Sequence, residues 1–382
     1  RPPDPGLPTF LEALRAAGYF LGHVGKWHVN PARGPLEYGF DQDIPETAYP
    51  AWRAAHGAPR APEPEDWFGA LDAGIKPDLT RPAWGAEQVI AMLTRLATGE
   101  RPFYIAWELS EPHLPNVLPE PYYSRYPPER IPPWPSYPDP LIGKPYVQSQ
   151  QRRSWRVEDT TWPVWARLVS AYLGMLSLVD AQIGRVLDVL DGLGLAERTL
   201  VVYTADHGDL CGGHGMVDKH MVMYEDVVHV PLIVRWPGHT PAGSRCEGFV
   251  SNGLDLAPTF CHVAGAPIPA TFAGRSLVPL LEGTESVARQ DILSMYHGNQ
   301  FGLFSQRMVR DRRWKYVWNP AAEDELYDLE TDPGEIRNRA ADPACRAELA
   351  RLRLRLVAWM EEIGDPLLNS WTRVQLVEGR KI

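Results

Sequence analysis

No uncharged apolar run reaches the roughly eighteen residues that a membrane-crossing helix needs, so none is expected. Basic residues are outnumbered as well. Lys and Arg total 38 against 48 Asp and Glu, for a net charge of -10. That balance excludes a broad cationic face for nucleic acid, and any anionic partner must be held by local cations. Cysteine is scarce: Cys211, Cys246, Cys261 and Cys345 show no close Cys-x-x-Cys spacing. A disulfide scaffold is thereby excluded, and four free thiols are expected. The sequence opens on Arg1 rather than Met, so a targeting segment would leave no trace and localisation stays open.

What is present fits a soluble core with an appendage: 382 residues, 44% hydrophobic and 23% charged. Thr9 and Glu12 have capping-box spacing before the apolar face Phe10, Leu11 and Leu14, and Gly18 closes a helix over 9–17. A strand over 19–24 would deliver Lys26 and His28 to one face of the following loop, with Trp27 turned inward. Residues 40–80 show no organisation. A helix over 84–97 and a strand over 103–107 follow, and His113 lies just beyond. Residues 112–145 are Pro-rich and read as a long ordered excursion over the surface, of the kind that shapes substrate access.

The strongest helical period covers 165–190, through Leu168, Tyr172, Val179, Ile183, Val186 and Leu190. Strands over 199–205 and 230–236 and a short helix over 255–263 come next, so strand and helix alternate as in an α/β fold. Beyond about residue 290 the pattern changes. A hairpin at 307–309 and 314–318, a short strand at 326–329 and a helix at 347–363 describe an antiparallel subdomain capped by a helix.

Asp206-His207-Gly208-Asp209 sits where the buried strand 199–205 ends, the place where α/β enzymes collect ligands. Asp206 and His207 offer a carboxylate oxygen and an imidazole nitrogen, a mixture suited to a divalent ion but incomplete as a shell. Each candidate also has a plain structural use. Asp206 would cap a turn, His207 would fill a polar pocket, Lys26 would be a surface lysine and Lys219 a solvated charge. Together, a lysine and an imidazole beside a metal suit a site that deprotonates a nucleophile and protonates a leaving oxygen. Lys219 would neutralise the nonbridging oxygens of a sulfate or phosphate. A zinc set of Asp206, His207, His214 and His220 is the lesser alternative, because its spacings match no zinc signature.

Gly18-Tyr-Phe-Leu-Gly-His-Val-Gly-Lys-Trp-His28 resembles the second signature of the sulfatases. Thr204-Ala-Asp-His-Gly-Asp209, Gly213-His-Gly-Met-Val-Asp-Lys219, Val230-Pro-Leu-Ile-Val-Arg-Trp-Pro-Gly238 and Glu325-Leu-Tyr-Asp-Leu-Glu330 resemble later segments of that family, in the same order. The resemblance implies an alkaline phosphatase-like α/β fold with a mixed, mostly parallel central sheet flanked by helices, and a small C-terminal antiparallel sheet plus helix. It implies a catalytic domain over 1–290, a C-terminal subdomain over 291–382, and metal-dependent hydrolysis of sulfate esters. The substrate would be a small-molecule or carbohydrate sulfate, with no nucleic acid and no membrane insertion.

By the same resemblance, Lys26 contacts nucleophile and sulfate, and His28 orients or deprotonates the nucleophile. His113 donates a proton to the leaving oxygen and helps bind substrate, Lys219 binds sulfate, and Asp206 and His207 hold the metal, usually Ca2+. Asp-His where the family often has Asp-Asn makes Mn2+, and a phosphonate monoester or phosphodiester substrate, the alternative. Sulfatases use a formylglycine made from a Cys/Ser-x-Pro-x-Arg motif, which none of the four cysteines, nor Ser110 or Ser136, satisfies. The expectation is a chain that starts part-way through the catalytic domain, its first strand and nucleophile helix missing, and that alone does not turn over sulfate esters. A non-catalytic pseudo-sulfatase is the other outcome.

Overall fold

The computed structural model describes residues 6–64, 68–285, 289–298 and 302–379. Helix α1 (Phe10–Ala16) starts where Thr9 and Glu12 exchange both bonds of a capping box. The chain turns at Gly18 into β1 (Phe20–Gly25), buried along its whole length. β2 (Gln42–Pro45), α2 (Tyr49–Ala55) and β3 (Ala70–Leu71) follow, in the region whose sequence showed no pattern. Then come α3 (Arg81–Leu96), β4 (Phe103–Glu108) and β5 (Val117–Leu118). Helix α4 (Tyr146–Trp155) precedes the long α5 (Trp162–Gly192).

The second half runs through β6 (Val201–Thr204), α6 (Glu225–Val228), β7 (Leu232–Arg235), α7 (Asn252–Val263) and α8 (Val278–Leu281). It ends with β8 (Ile292–Gly298), β9 (Phe304–Arg310), β10 (Trp314–Trp318), β11 (Glu325–Asp328), α9 (Arg346–Glu362) and α10 (Ser370–Glu378).

Three strands form a parallel sheet in the order β2-β1-β4. One face carries α3 and the end of α5, with Val89, Met92, Leu93 and Leu190 packed on Phe20 and Val24. The other carries α1 and α7, where Leu11, Leu14 and Cys261 meet Leu21 and Ala106. Each Val, Leu, Phe and Met among these, fully buried, contributes about 1.5–3 kcal/mol. β6 pairs with β7 antiparallel, so the strand expected over 230–236 adds the antiparallel member of the mixed set.

The C-terminal sheet is wholly antiparallel, in the order β11-β10-β9-β8. Leu349, Leu352, Leu356 and Met360 face it from α9, the stripe that the sequence spacing requires, against Val309, Tyr316 and Leu326. The Pro-rich excursion starts at His113, which lines one cleft with Lys26 and Asp206, and then runs against the 211–218 loop: Trp134 donates to the Cys211 carbonyl (3.0 Å) and the Ser136 carbonyl accepts from His214 N (2.8 Å).

Candidate active site

β1, β4 and β6 end at one edge of the molecule. Lys26 N donates to the Glu108 carbonyl (2.8 Å), which ties the chain leaving β1 to the last residue of β4. Gly25 permits this approach: its φ is +115°, and a Cβ there would stand 2.0 Å from the Glu108 oxygen. His23, buried one turn of the pleat earlier, faces Asp43 (2.8 Å) and the Lys26 carbonyl (3.2 Å), fixing the loop to β2. Trp27 packs inward on His23 and Phe40, as strand alternation predicts, while His28 is exposed at the rim.

The end of β6 is set by Asn252, the first residue of α7, whose amide donates to the Ala205 carbonyl (2.6 Å). Asp206 and His207 follow, their side chains 3.6 Å apart. His207 Nδ1 lies 2.7 Å from the Gly208 carbonyl, an acceptor, so Nδ1 carries the proton and Nε2 keeps its lone pair. Burial lowers the pKa of His207, against the Gly208 bond and the Asp206 charge, and the nearby Lys219 and His113 lower it further. The ring is therefore held neutral, as a metal-binding imidazole must be.

His113 comes from the loop beyond β4. Its Nδ1 faces the Leu114 carbonyl (2.9 Å), which leaves Nε2 to accept from Lys219 Nζ at 2.6 Å. Its ring centre lies 6.1 Å from that of His207. Lys219 also pairs with Asp218 (3.0 Å), which His220 approaches at 3.1 Å. Burial alone would raise Asp218, but the His220 and Lys219 contacts outweigh it and hold the carboxyl at about 2. The Asp218-Lys219-His220 run thus supplies one aimed ammonium on an ionised carboxylate. Lys26, His28, His113, Asp206 and His207 line one cleft of ≈ 1710 Å³, and Lys219 reaches it through His113.

Two participants escaped the sequence reading. Glu108 extends the expected strand by one residue into the cleft, where partial desolvation raises its pKa; Asp206 adds to the rise, while His23 and Lys26 oppose it. A carboxylate closing an apolar strand was the available signal. The second is a brace: Arg81 holds Glu111 (2.7 Å) and Glu46 (3.5 Å), and Glu46 accepts from Ser110 (2.7 Å), so the loop bearing His113 is anchored on both sides.

The four-residue zinc alternative fails. His214 is buried on Asp139 (2.7 Å) and stacked on Tyr224 at 3.5 Å, and His220 is engaged with Asp218. Among the described residues no group of three or more His, Cys, Asp or Glu is placed to hold a metal. Asp209 is occupied too, accepting from Cys211 N (2.9 Å) and Asp218 N (3.2 Å). Asp206 and His207 fit a divalent ion as two of its ligands and do not complete its shell.

His214 anchors the loop that carries Lys219. Burial drives its pKa from 6.5 to about 4 despite the Asp139 bond, and its Nε2 has no partner for a second proton. A lowered histidine favours folding fully above pH 6.5, and that share is lost as pH falls toward 4. Stability is expected to drop by up to about 3 kcal/mol over that window. Urea titrations of the chain and of His214→Asn, which lacks this slope, check it.

Residues 1–266 match the sulfatase family model, and residues 212–362 match the model described as N-sulphoglucosamine sulphohydrolase, C-terminal. The chain is similar to a choline-sulfatase of Rhizobium meliloti, with 27% identity over 95% of this chain and 74% of that protein. Over 50% of its length it is 34% identical to an N-acetylglucosamine-6-O-sulfatase of Bacteroides thetaiotaomicron, covering 34% of that protein. Among solved structures, phosphonate monoester hydrolase of Agrobacterium radiobacter is similar over 94% of this chain and 81% of its own, with a TM-score of 0.79 and 25% identity.

Proposed function

This chain belongs to the sulfatase family, and from that footing we propose that the mouth of the cleft holds the sulfate group of a sulfate ester for hydrolysis. The carrying observation is Lys219 Nζ at 2.6 Å from His113 Nε2, on a cleft also lined by Lys26, Asp206 and His207. In this reading Lys219 and Lys26 neutralise the nonbridging oxygens. His113 takes one proton from the Lys219 ammonium at Nε2 and passes it to the leaving oxygen, and the neutral amine left behind is reprotonated from water. His28, at the rim, orients the nucleophile. Asp206 and His207 hold a divalent ion, Ca2+ or Mn2+, which would supply further positive charge to the sulfate. The family's nucleophile is a formylglycine whose Cys/Ser-x-Pro-x-Arg precursor does not occur among residues 1–382. Residues 1–290 then carry the site and 291–382 brace it. A carbohydrate sulfate is the substrate class that the N-acetylglucosamine-6-O-sulfatase supports.

Calorimetric titration with inorganic sulfate, with Ca2+ or Mn2+ added in turn, tests this reading. Sulfate is expected to bind, and Lys219→Ala to weaken it by about 10–100-fold through loss of a charge-assisted contact. Equal affinity in the variant would sink the assignment. The metal is expected to raise Tm only while Asp206 is intact. Similarity to a phosphonate monoester hydrolase and the Asp206-His207 pair favour one second reading, phosphonate monoester or phosphodiester hydrolysis. Reading the frame upstream of Arg1 for a Cys/Ser-x-Pro-x-Arg motif separates an enzyme from a pseudo-sulfatase, and a protein that carries the motif, assayed on a phosphonate monoester beside an aryl sulfate, distinguishes the two chemistries.

A further inference from the structure

The chain leaves the site after His207 and returns to it at Lys219, and the loop between has its two ends tied together. Asp209 Oδ1 accepts from Cys211 N (2.9 Å), from the Cys211 thiol (3.4 Å) and, nine residues on, from Asp218 N (3.2 Å). Leu210 N donates to the Asp218 carbonyl (3.1 Å), so both backbone groups of Asp218 are bound to the start of the loop. That start is itself closely held. Gly208 N donates to the Val227 carbonyl (2.8 Å), and a Cβ on Gly208 would stand 1.9 Å from the Asp226 oxygen. Asp209 therefore carries a fixed point, in the run that bears Asp206 and His207, across to the residue just before Lys219. The loop has need of such a tie. Among the described residues seven other than glycine have a left-handed φ, and Cys211 (+42°), His214 (+53°), Asp218 (+69°) and Met221 (+60°) are four of them. Backbone of that kind persists only where its surroundings over-determine it. Trp134 and Ser136 hold Cys211 and His214 from outside, whereas the backbone of Asp218 is held by Asp209 and Leu210.

We propose that Asp209 is a positioning residue: its carboxylate keeps Asp218 in the left-handed conformation, and that turn aims the Lys219 ammonium at His113 Nε2 and at the sulfate oxygens. The aim at His113 is the 2.6 Å contact itself, while the aim at sulfate rests on the proposed function. An ammonium has three N–H bonds. One goes to His113, one side faces Asp218 (3.0 Å), and the third is left for a ligand oxygen. With the acceptor at 209 displaced, the amides of buried Cys211 and Asp218 lose their partner. Asp218 then relaxes toward an ordinary φ, and the side chain that follows it swings away from His113. The role is one of place rather than charge. A carboxylate near the mouth opposes an anion there, so whatever affinity Asp209 contributes is geometric.

Two substitutions separate place from charge. Asp209→Asn keeps an oxygen acceptor at the same reach and drops the charge, and Asp209→Glu keeps the charge and shifts the acceptor by one methylene. Asp209→Ala, which removes the acceptor, stands in should Asp209→Glu not fold. Nitrogen NMR of the chain carrying 15N-histidine follows His113 Nε2, whose resonance reports the bond from Lys219. That resonance is expected to stay in place in Asp209→Asn and to move in Asp209→Glu to where Lys219→Ala puts it. In calorimetric titration with inorganic sulfate, affinity is expected within about threefold of the parent chain for Asp209→Asn and at least about tenfold weaker for Asp209→Glu. Added to Lys219→Ala, Asp209→Glu should weaken sulfate no further, because both act through one ammonium. A His113 resonance that moves in Asp209→Asn, parental affinity in Asp209→Glu, or full additivity with Lys219→Ala would overturn the proposal. If the parent chain binds no sulfate, the function proposed for the mouth fails, and the His113 resonance still decides the role of Asp209.

Discussion

Lys315→Met is expected to lower stability at about pH 8 by about 3–5 kcal/mol, the loss that follows when a buried ion network is deprived of one partner. The Lys315 ammonium is wholly buried and donates to the Met223 carbonyl (2.9 Å) and to Glu335 Oε1 (2.7 Å), with Glu225 Oε1 also at 2.7 Å. Arg310 shares Glu225 (2.9 Å), but among the described residues Glu335 has no second cation on its carboxylate. Burial already pushes Glu335 up to about 7 against the pull of Lys315. A raised carboxylate favours folding below its unfolded value of 4.5, and that share is lost as pH rises through 7. Without the lysine the folded value climbs higher, so the deficit is expected to shrink at about pH 5, where Glu335 takes a proton. Guanidinium unfolding at both pH values measures this. A deficit independent of pH would show that Glu335 does not feel the lysine.

Gly25→Ala is expected to cost about 3 kcal/mol or more and to abolish sulfate binding, because steric overlap adds to backbone strain. The new methyl would sit 2.0 Å from the Glu108 carbonyl oxygen, and β4 backbone cannot yield as a flexible side chain would. The bond from Lys26 N to that carbonyl would break, and Lys26 would leave the mouth. Gly18→Ala is the control: its φ is +88° but nothing lies within 4 Å of the added carbon. Strain alone should cost that variant about 1–2 kcal/mol and leave sulfate affinity unchanged. Similar losses in both would mean that the close approach at Gly25 is unimportant.

Helices and strands with an uninterrupted apolar period are legible in the sequence alone. α9 buries the stripe read from spacing, α5 buries Leu168, Val179 and Leu190 of its stripe and leaves Tyr172, Ile183 and Val186 half-buried, and Thr9 with Glu12 marked the start of α1 to the residue. α4 was not legible, because two of its buried residues are polar. Gln148 bonds to Glu325 and Tyr224, and Gln151 donates to the Val217 carbonyl, and buried amides leave no hydrophobic pattern. At the site, local runs marked Lys26, Asp206, His207 and Lys219, yet the bond from Lys219 to His113 joins residues 106 positions apart, which no local rule reaches. Glu108 was lost at a strand boundary, where such readings are least sharp.

The stitching of the 211–218 loop has a bearing on how the ammonium of Lys219 keeps its place. Lys144 threads between the rings of Tyr224 and Tyr327 and bonds to Asp139 and to the Glu335 carbonyl, so one cation rivets the excursion, the loop and the terminal sheet. Asp139 in turn grips His214. The terminal sheet is thus a splint for the proposed anion grip, and in that reading a lesion far out in its hairpins would register first as slack in ligand recognition.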